Sequence, residues 1–169
     1  MMNHEPKVIL LCGKIASGKT HYAAALRERE KAVILSCDAL TFALFDGNLG
    51  DAHDTMSKRI WQYLYARSLD LLAVGVSVIL DWGFWTNQNR KDISDYFASH
   101  GVDYEWHYID IDDELWHKYI KERNQKITEG NGGSDFYVDK GLFNKVQSLF
   151  EVPEKSEIDV WYDAQRETK

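Results

Sequence analysis

Gly13-Lys14-Ile15-Ala16-Ser17-Gly18-Lys19-Thr20 follows directly on the apolar run Val8-Ile9-Leu10-Leu11-Cys12. It satisfies the pattern G-x-x-x-x-G-K-[ST] in the setting the pattern requires, with a strand-like run before it and a helix-forming run, 22–31, behind it. Gly13 and Gly18 carry no Cβ, so the loop can turn tightly and aim successive backbone N–H groups at phosphate oxygens. The helix that follows points its positive dipole end at the same anion. Lys19 reaches the outer phosphates as a point charge, and the Thr20 hydroxyl is a ligand for Mg²⁺. Lys14, Ala16, Ser17 and His21 complete the stretch expected to surround the nucleotide. A glycine-rich turn that only caps a helix is the bland alternative, and the flanking strand and helix weigh against it. The expectation is a chain that binds a nucleoside triphosphate, with ATP and Mg²⁺ as the cofactors.

Around this stretch the chain reads as one α/β domain over 1–169. Its 169 residues are enough for a substantial core, and 44% hydrophobic with 28% charged residues is ordinary for a globular protein. A net charge of −7 argues against a nucleic-acid groove, though not against a small basic cleft in an acidic shell. Cys12 and Cys37 sit in apolar strand-like runs and read as reduced core residues, which fits a cytoplasmic setting. The stretch 1–6 is polar and no apolar run approaches a membrane span, so neither a signal peptide nor a membrane partner is expected.

Strand-like runs at 8–12, 32–37, 76–80, 104–111 and 158–162 alternate with helical patterns at about 19–29, 54–74, 87–99, 114–127 and 138–150. Such alternation predicts a parallel sheet covered on both faces, with ligands outside the carboxyl ends of the strands. The side chains at those ends are therefore the candidate site. The second strand ends in Ser36-Cys37-Asp38 and the third in Leu80-Asp81-Trp82-Gly83.

Asp38 is a candidate general base for an attacking hydroxyl, or else an N-cap for a helix starting near Ala39. Asp81 follows an apolar strand, as an acidic residue that holds Mg²⁺ does; a turn-forming Asp beside Gly83 is the alternative. Trp82 stands where P-loop ATPases commonly carry a water-activating Glu, which favours transfer to an organic acceptor over hydrolysis. Trp82, Phe84 and Trp85 either wall an acceptor pocket and exclude water or cover the edge of the core. Arg90 either meets an anionic acceptor or is solvated.

Within 114–127, Trp116, Tyr119, Ile120 and Ile127 form an apolar stripe, and Arg123 falls inside it. A charge on an inner face needs an anionic partner, and the γ-phosphate of ATP is the candidate; snorkelling from the stripe's edge is the alternative. Lys118, Lys121 and Lys126 read as a solvated face. Gly130-Asn131-Gly132-Gly133 suits a moving lid spanning about 114–137. The histidines show no metal-site spacing.

These residues together resemble the AAA_33 grouping of small P-loop kinases, the zeta-toxin and chloramphenicol-phosphotransferase-like proteins. The resemblance is carried by 10–20, Ser36-Cys37-Asp38, 78–85 with Arg90, Arg123-Asn124 and Phe150-Glu151-Val152-Pro153. It implies a three-layer α/β/α P-loop NTPase fold, with a five-stranded parallel sheet of kinase type in the order 2-3-1-4-5 and a helical lid. It further implies that Asp38 is the catalytic carboxylate and Arg123 a lid arginine. Tyr119 departs from the pattern, because family lids often carry a second arginine there; Lys118, one residue earlier, is a less exact substitute. The expected activity is ATP- and Mg²⁺-dependent phosphoryl transfer to a hydroxyl of a small-molecule acceptor, with Lys19, Asp38 and Arg123 catalytic and Thr20 and Asp81 at the metal. An ATP-binding sensor module without transfer is the alternative, and a 5′-hydroxyl nucleic-acid kinase a weaker one.

Overall fold

The computed structural model describes residues 5–168, so residues 1–4 of the polar N-terminal stretch lie outside it. Five strands form one sheet: β1 (Val8–Cys12), β2 (Val33–Ser36), β3 (Val78–Asp81), β4 (Tyr104–Asp110) and β5 (Val160–Asp163). Their order is β2-β3-β1-β4-β5, and every pairing is parallel. Expected order and observed order agree. The central strand β1 is wholly buried, and its alternation divides the interior in two. Val8, Leu10 and Cys12 face one core; Ile9 and Leu11 face the other.

Helices α1 (Lys19–Glu30), α5 (Asp113–Thr128) and α6 (Lys140–Leu149) cover the second core with Ala23, Leu26, Trp116 and Val146. The first core lies under α3 (His53–Ala73) and α4 (Asn87–Ser99) through Ile60, Leu64, Ile93 and Phe97. Three of these helices start on a side-chain cap. Thr86, Asp112 and Asp139 cap α4, α5 and α6 by accepting from the backbone N–H groups of Asn89, Leu115 and Leu142.

The structure adds α2 (Cys37–Phe45), which periodicity does not delineate because its residues are apolar nearly all round. Its cap is Ser36, whose Oγ accepts from Ala39 N at 3.2 Å. The cap reading of Asp38 is thereby replaced: Asp38 stands in the first turn of α2, with its carboxylate free of capping duty. The second strand is correspondingly shorter than the apolar run 32–37. No helix among the described residues is long and apolar enough to cross a membrane.

Candidate active site

The buried β1 delivers its chain end into the loop 13–18 at the carboxyl edge of the sheet. Gly13 N–H donates to the Gly83 carbonyl at 3.2 Å, which ties this loop to the one after β3. Ala16 and Gly18 adopt left-handed φ of 56° and 93°, turning the peptide groups between them. For Ala16 that conformation costs about 1–2 kcal/mol, and the rest of the loop holds it in place. Gly18 is the N-cap of α1 without a side-chain hydrogen bond, and the first turn of α1 has no acidic residue to compete for its amides. A Cβ on Gly13 would stand 2.9 Å from Ser17 Oγ and 3.2 Å from the Ile109 carbonyl, so the cradle admits only glycine there. Ser17 Oγ is buried without a hydrogen-bond partner. Backbone amides turned inward with a buried hydroxyl among them fit a phosphate group.

Lys19 folds back over the loop, donating from Nζ to the carbonyls of Lys14 at 2.6 Å and Gly13 at 3.1 Å. Burial pulls its pKa below the ordinary lysine value, while the carboxylates of Asp81 and Asp38 oppose that shift. Thr20 Oγ1 donates to Asp81 Oδ2 at 2.9 Å. Asp81 ends β3 and is only 5% exposed, so it is a strand residue aimed at the loop and not a turn former. Burial raises its pKa; Lys19 and the Thr20 hydroxyl hold it down, and Asp135 pushes it further up. A hydroxyl and a carboxylate side by side are an oxygen donor pair suited to Mg²⁺. Among the described residues no group of three or more His, Cys, Asp or Glu is arranged to hold a metal, so an ion at this pair would complete its shell with phosphate oxygens and water.

Asp38 reaches the same region from α2. It is open to solvent, yet the cleft walls displace much of its water, and that desolvation raises its pKa; Lys19 and Arg123 counter the shift, while Asp81 and Asp135 add to it. Arg123 arrives from the far end of α5. Its Nε donates to the Phe136 carbonyl at 2.8 Å and its Nη2 stands 3.3 Å from Asp135 Oδ1. That contact lacks hydrogen-bond geometry, so Nη2 remains a buried donor without a hydrogen-bond partner. Burial lowers the arginine's pKa, and Asp135 and Asp38 act against the shift. One phosphate loop, two cations and two carboxylates thus occupy one edge of the sheet.

Several expectations are corrected. Arg90 is 2% exposed and is neither solvated nor turned to an acceptor: Nη1 donates to the carbonyls of Phe84 at 3.2 Å and Glu151 at 3.0 Å, and Nη2 contacts Asn87 Oδ1. It fastens the loop after β3 to the segment after α6. Trp82 and Phe84 belong to the core, Trp82 lying between the rings of Tyr65 and Phe84. Trp85 packs half-buried on the opposite core, with its Nε1 2.1 Å from where a Cβ on Gly83 would be. Trp82 and Phe84 thus take the core-covering alternative and are turned away from any acceptor. Lys14 Nζ pairs with Asp113 at 3.2 Å and lies 4.3 Å over the Trp116 ring. His21 is exposed on α1. Lys118 is exposed near Glu122 and does not take the place of the second arginine; Tyr119, at that position, has Cε2 3.8 Å from where a Cβ on Gly18 would be.

Residues that sequence patterns do not single out complete the arrangement. Trp116 is fully buried and donates its indole N–H to the Ile15 carbonyl at 2.7 Å, so α5 grips the phosphate loop. Its place in an apolar stripe is a signal for burial, not for this bond. Asp135 and Phe136 lie in an aperiodic, glycine-rich stretch that carries no pattern at all.

Comparison with known proteins agrees with this geometry. No curated protein matches the chain at a significant level. Among solved structures, the Pnkp1/Rnl/Hen1 RNA repair complex matches with TM-score 0.70 at 20% identity over 86% of this chain, which spans only 44% of that one. A putative kinase from Chloroflexus aurantiacus matches with TM-score 0.69 at 19% identity, covering 95% of this chain and 88% of that one. The APS kinase of Mycobacterium tuberculosis, solved with AMPPNP and APS, matches with TM-score 0.66 at 16% identity, covering 97% and 96%. At such identities the likeness establishes the fold, that of small P-loop kinases. The model of the AAA domain family AAA_33 matches residues 8–153, and the chain belongs to that family.

Proposed function

We propose that this protein is an ATP- and Mg²⁺-dependent phosphotransferase acting on a hydroxyl group of a small molecule. The observation that carries the reading is the convergence of Asp38, Asp81 and Lys19 with Arg123, whose buried Nη2 has an ion partner in Asp135 but no hydrogen bond, at the phosphate loop. In this reading the amides of 13–18 and Lys19 hold the outer phosphates. Thr20 and Asp81 hold Mg²⁺, which supplies charge neutralisation between those phosphates. Asp38 accepts the proton of the attacking hydroxyl, and its raised pKa brings it nearer the strength a general base needs, while Lys19 and Arg123 oppose the shift. Arg123 stabilises charge on the phosphoryl group in transit.

The kinase relatives support this class of chemistry, and the APS kinase with bound AMPPNP supports an adenine nucleotide. The RNA-repair relative supports a second reading, transfer to a nucleic-acid 5′-hydroxyl. Charge weighs against it: residues 32–57, which include α2 and the start of α3, contain four Asp and no Lys or Arg, within a chain of net charge −7.

The test uses γ-labelled ATP, Mg²⁺ and a fractionated metabolite extract, with an unphosphorylated oligonucleotide in parallel. Wild type is expected to label a small molecule. Asp38→Asn is expected to lose about 10²–10⁴-fold in transfer while ATP affinity stays nearly unchanged. Labelling of the oligonucleotide alone would establish the second reading. Tight ATP binding with no transfer to any acceptor would leave a sensor module, and loss of ATP binding in Asp38→Asn would make Asp38 structural.

A further inference from the structure

Two adjacent side chains at the end of α5 tie the connection 129–139 back onto the helix. Asn124 donates from Nδ2 to the Val138 carbonyl at 2.9 Å and accepts the Val138 N–H at Oδ1 at 2.8 Å. One amide side chain thus completes both main-chain groups of a single residue, as a neighbouring strand would. Val138 is 4% exposed, so little water is at hand to replace those bonds. Two residues earlier, the Phe136 carbonyl receives Arg123 Nε at 2.8 Å, and the Phe136 ring meets Phe42 of α2 at 4.7 Å between centroids. The stitch at Val138 therefore fixes the carbonyl that fixes the arginine, and the same segment touches the helix that carries Asp38.

A guanidinium is planar, so one bond at Nε sets the direction of its remaining N–H groups. Without that bond, a long side chain on the last turns of a helix samples many rotamers, and its reach toward a transferring phosphoryl group must be ordered anew in each turnover. With it, Nη2 is held as a buried donor that has an ion partner in Asp135 at 3.3 Å but no hydrogen bond. Asn suits the position by chemistry: Asp cannot donate to the Val138 carbonyl, and Gln adds a methylene to a span already closed at both ends.

We infer that Asn124 is a positioning residue for Arg123, holding 136–138 against α5 so that the guanidinium is oriented before the substrates arrive. The inference rests on the role given to Arg123 above.

The experiment is calorimetric binding of ADP with Mg²⁺, with and without aluminium fluoride, to wild type, Arg123→Ala, Asn124→Ala and the double variant. Aluminium fluoride beside ADP mimics the phosphoryl group in transit, so the gain in affinity it produces reports the groups that act on that species. Wild type is expected to show a gain. Arg123→Ala and Asn124→Ala are each expected to shrink it about tenfold or more, a larger loss than either shows in affinity for ADP alone. The double variant is expected to be no worse than Arg123→Ala, because both changes remove one interaction. Asn124→Asp, which keeps the acceptor for Val138 N–H and loses the donor, is expected to lie between and serves if the alanine variant does not fold. A full gain in Asn124→Ala or Asn124→Asp, or losses that add in the double variant, would overturn the positioning role. Absence of any gain in wild type would remove the phosphoryl-transfer reading of Arg123, and the role of Asn124 with it.

Discussion

Arg90 offers the sharpest division between a ligand contact and a structural clamp. Replacing it with Ala removes the donors to two buried or half-buried carbonyls, Phe84 at 3.2 Å and Glu151 at 3.0 Å. The Glu151 carbonyl, left unpaired, and the Phe84 carbonyl, left only the weak Cys12 thiol donor, each cost about 1–3 kcal/mol. The ion pair with Glu157 at 3.6 Å adds little, because that carboxylate is 37% exposed and rehydrates when the arginine leaves. The loop itself is under tension, since Phe84 holds a positive φ of 45° and its carbonyl also receives Cys12 Sγ at 3.7 Å. Together these set a loss of about 3–5 kcal/mol, the scale of breaking a buried charge cluster. For a chain of this size that lowers the melting temperature by about 10 °C. Arg90→Lys is expected to recover only part, because one ammonium cannot reach both the two carbonyls bonded by Nη1 and the Asn87 side chain bonded by Nη2. Urea denaturation with the m-value checked, alongside acceptor and ATP kinetics, is the assay. A stability change below about 1 kcal/mol, accompanied by a raised KM for the acceptor, would refute the clamp and return Arg90 to the substrate.

Trp116→Phe keeps the buried ring but leaves the Ile15 carbonyl without its 2.7 Å donor; a loss of about 1–2 kcal/mol in urea is expected, with weaker nucleotide binding by titration. Unchanged nucleotide affinity would mean that α5 does not shape the phosphate loop. The carboxyls of Asp81 and Asp38 have folded pKa values above their ordinary 3.8, so the folded state holds their protons more tightly than the unfolded state does. Their contribution to stability is full below the unfolded value and is lost as pH rises through the folded value. Asp81→Asn is therefore expected to stabilise the protein at pH 7 while raising the Mg²⁺ concentration that activity requires. That advantage should vanish below the ordinary carboxylate range; destabilisation at pH 7 would show that the Thr20 bond outweighs the burial of charge.

The sequence by itself determines the phosphate loop, the alternation of strand and helix, and the edge of the sheet at which Asp38 and Asp81 lie. All three are local: each is written in consecutive residues or in a short period, and the regular alternation of strand and crossover helix favours the parallel arrangement. Only the tertiary structure decides depth and partners. A sheet covered on both faces is apolar on both, so nothing in the run Trp82-Gly83-Phe84-Trp85 distinguishes a pocket wall from a core, and the structure turns Trp82 and Phe84 inward. The same holds for Arg90, whose charge suggests surface or ligand until distant backbone carbonyls are seen to surround it. Thr20 finds Asp81 from 61 residues away, and Asn124 finds Val138 from 14. Hydrogen bonds of this kind join side chain to backbone or side chain to side chain across elements, and periodicity encodes which face is buried but not which group will be waiting there.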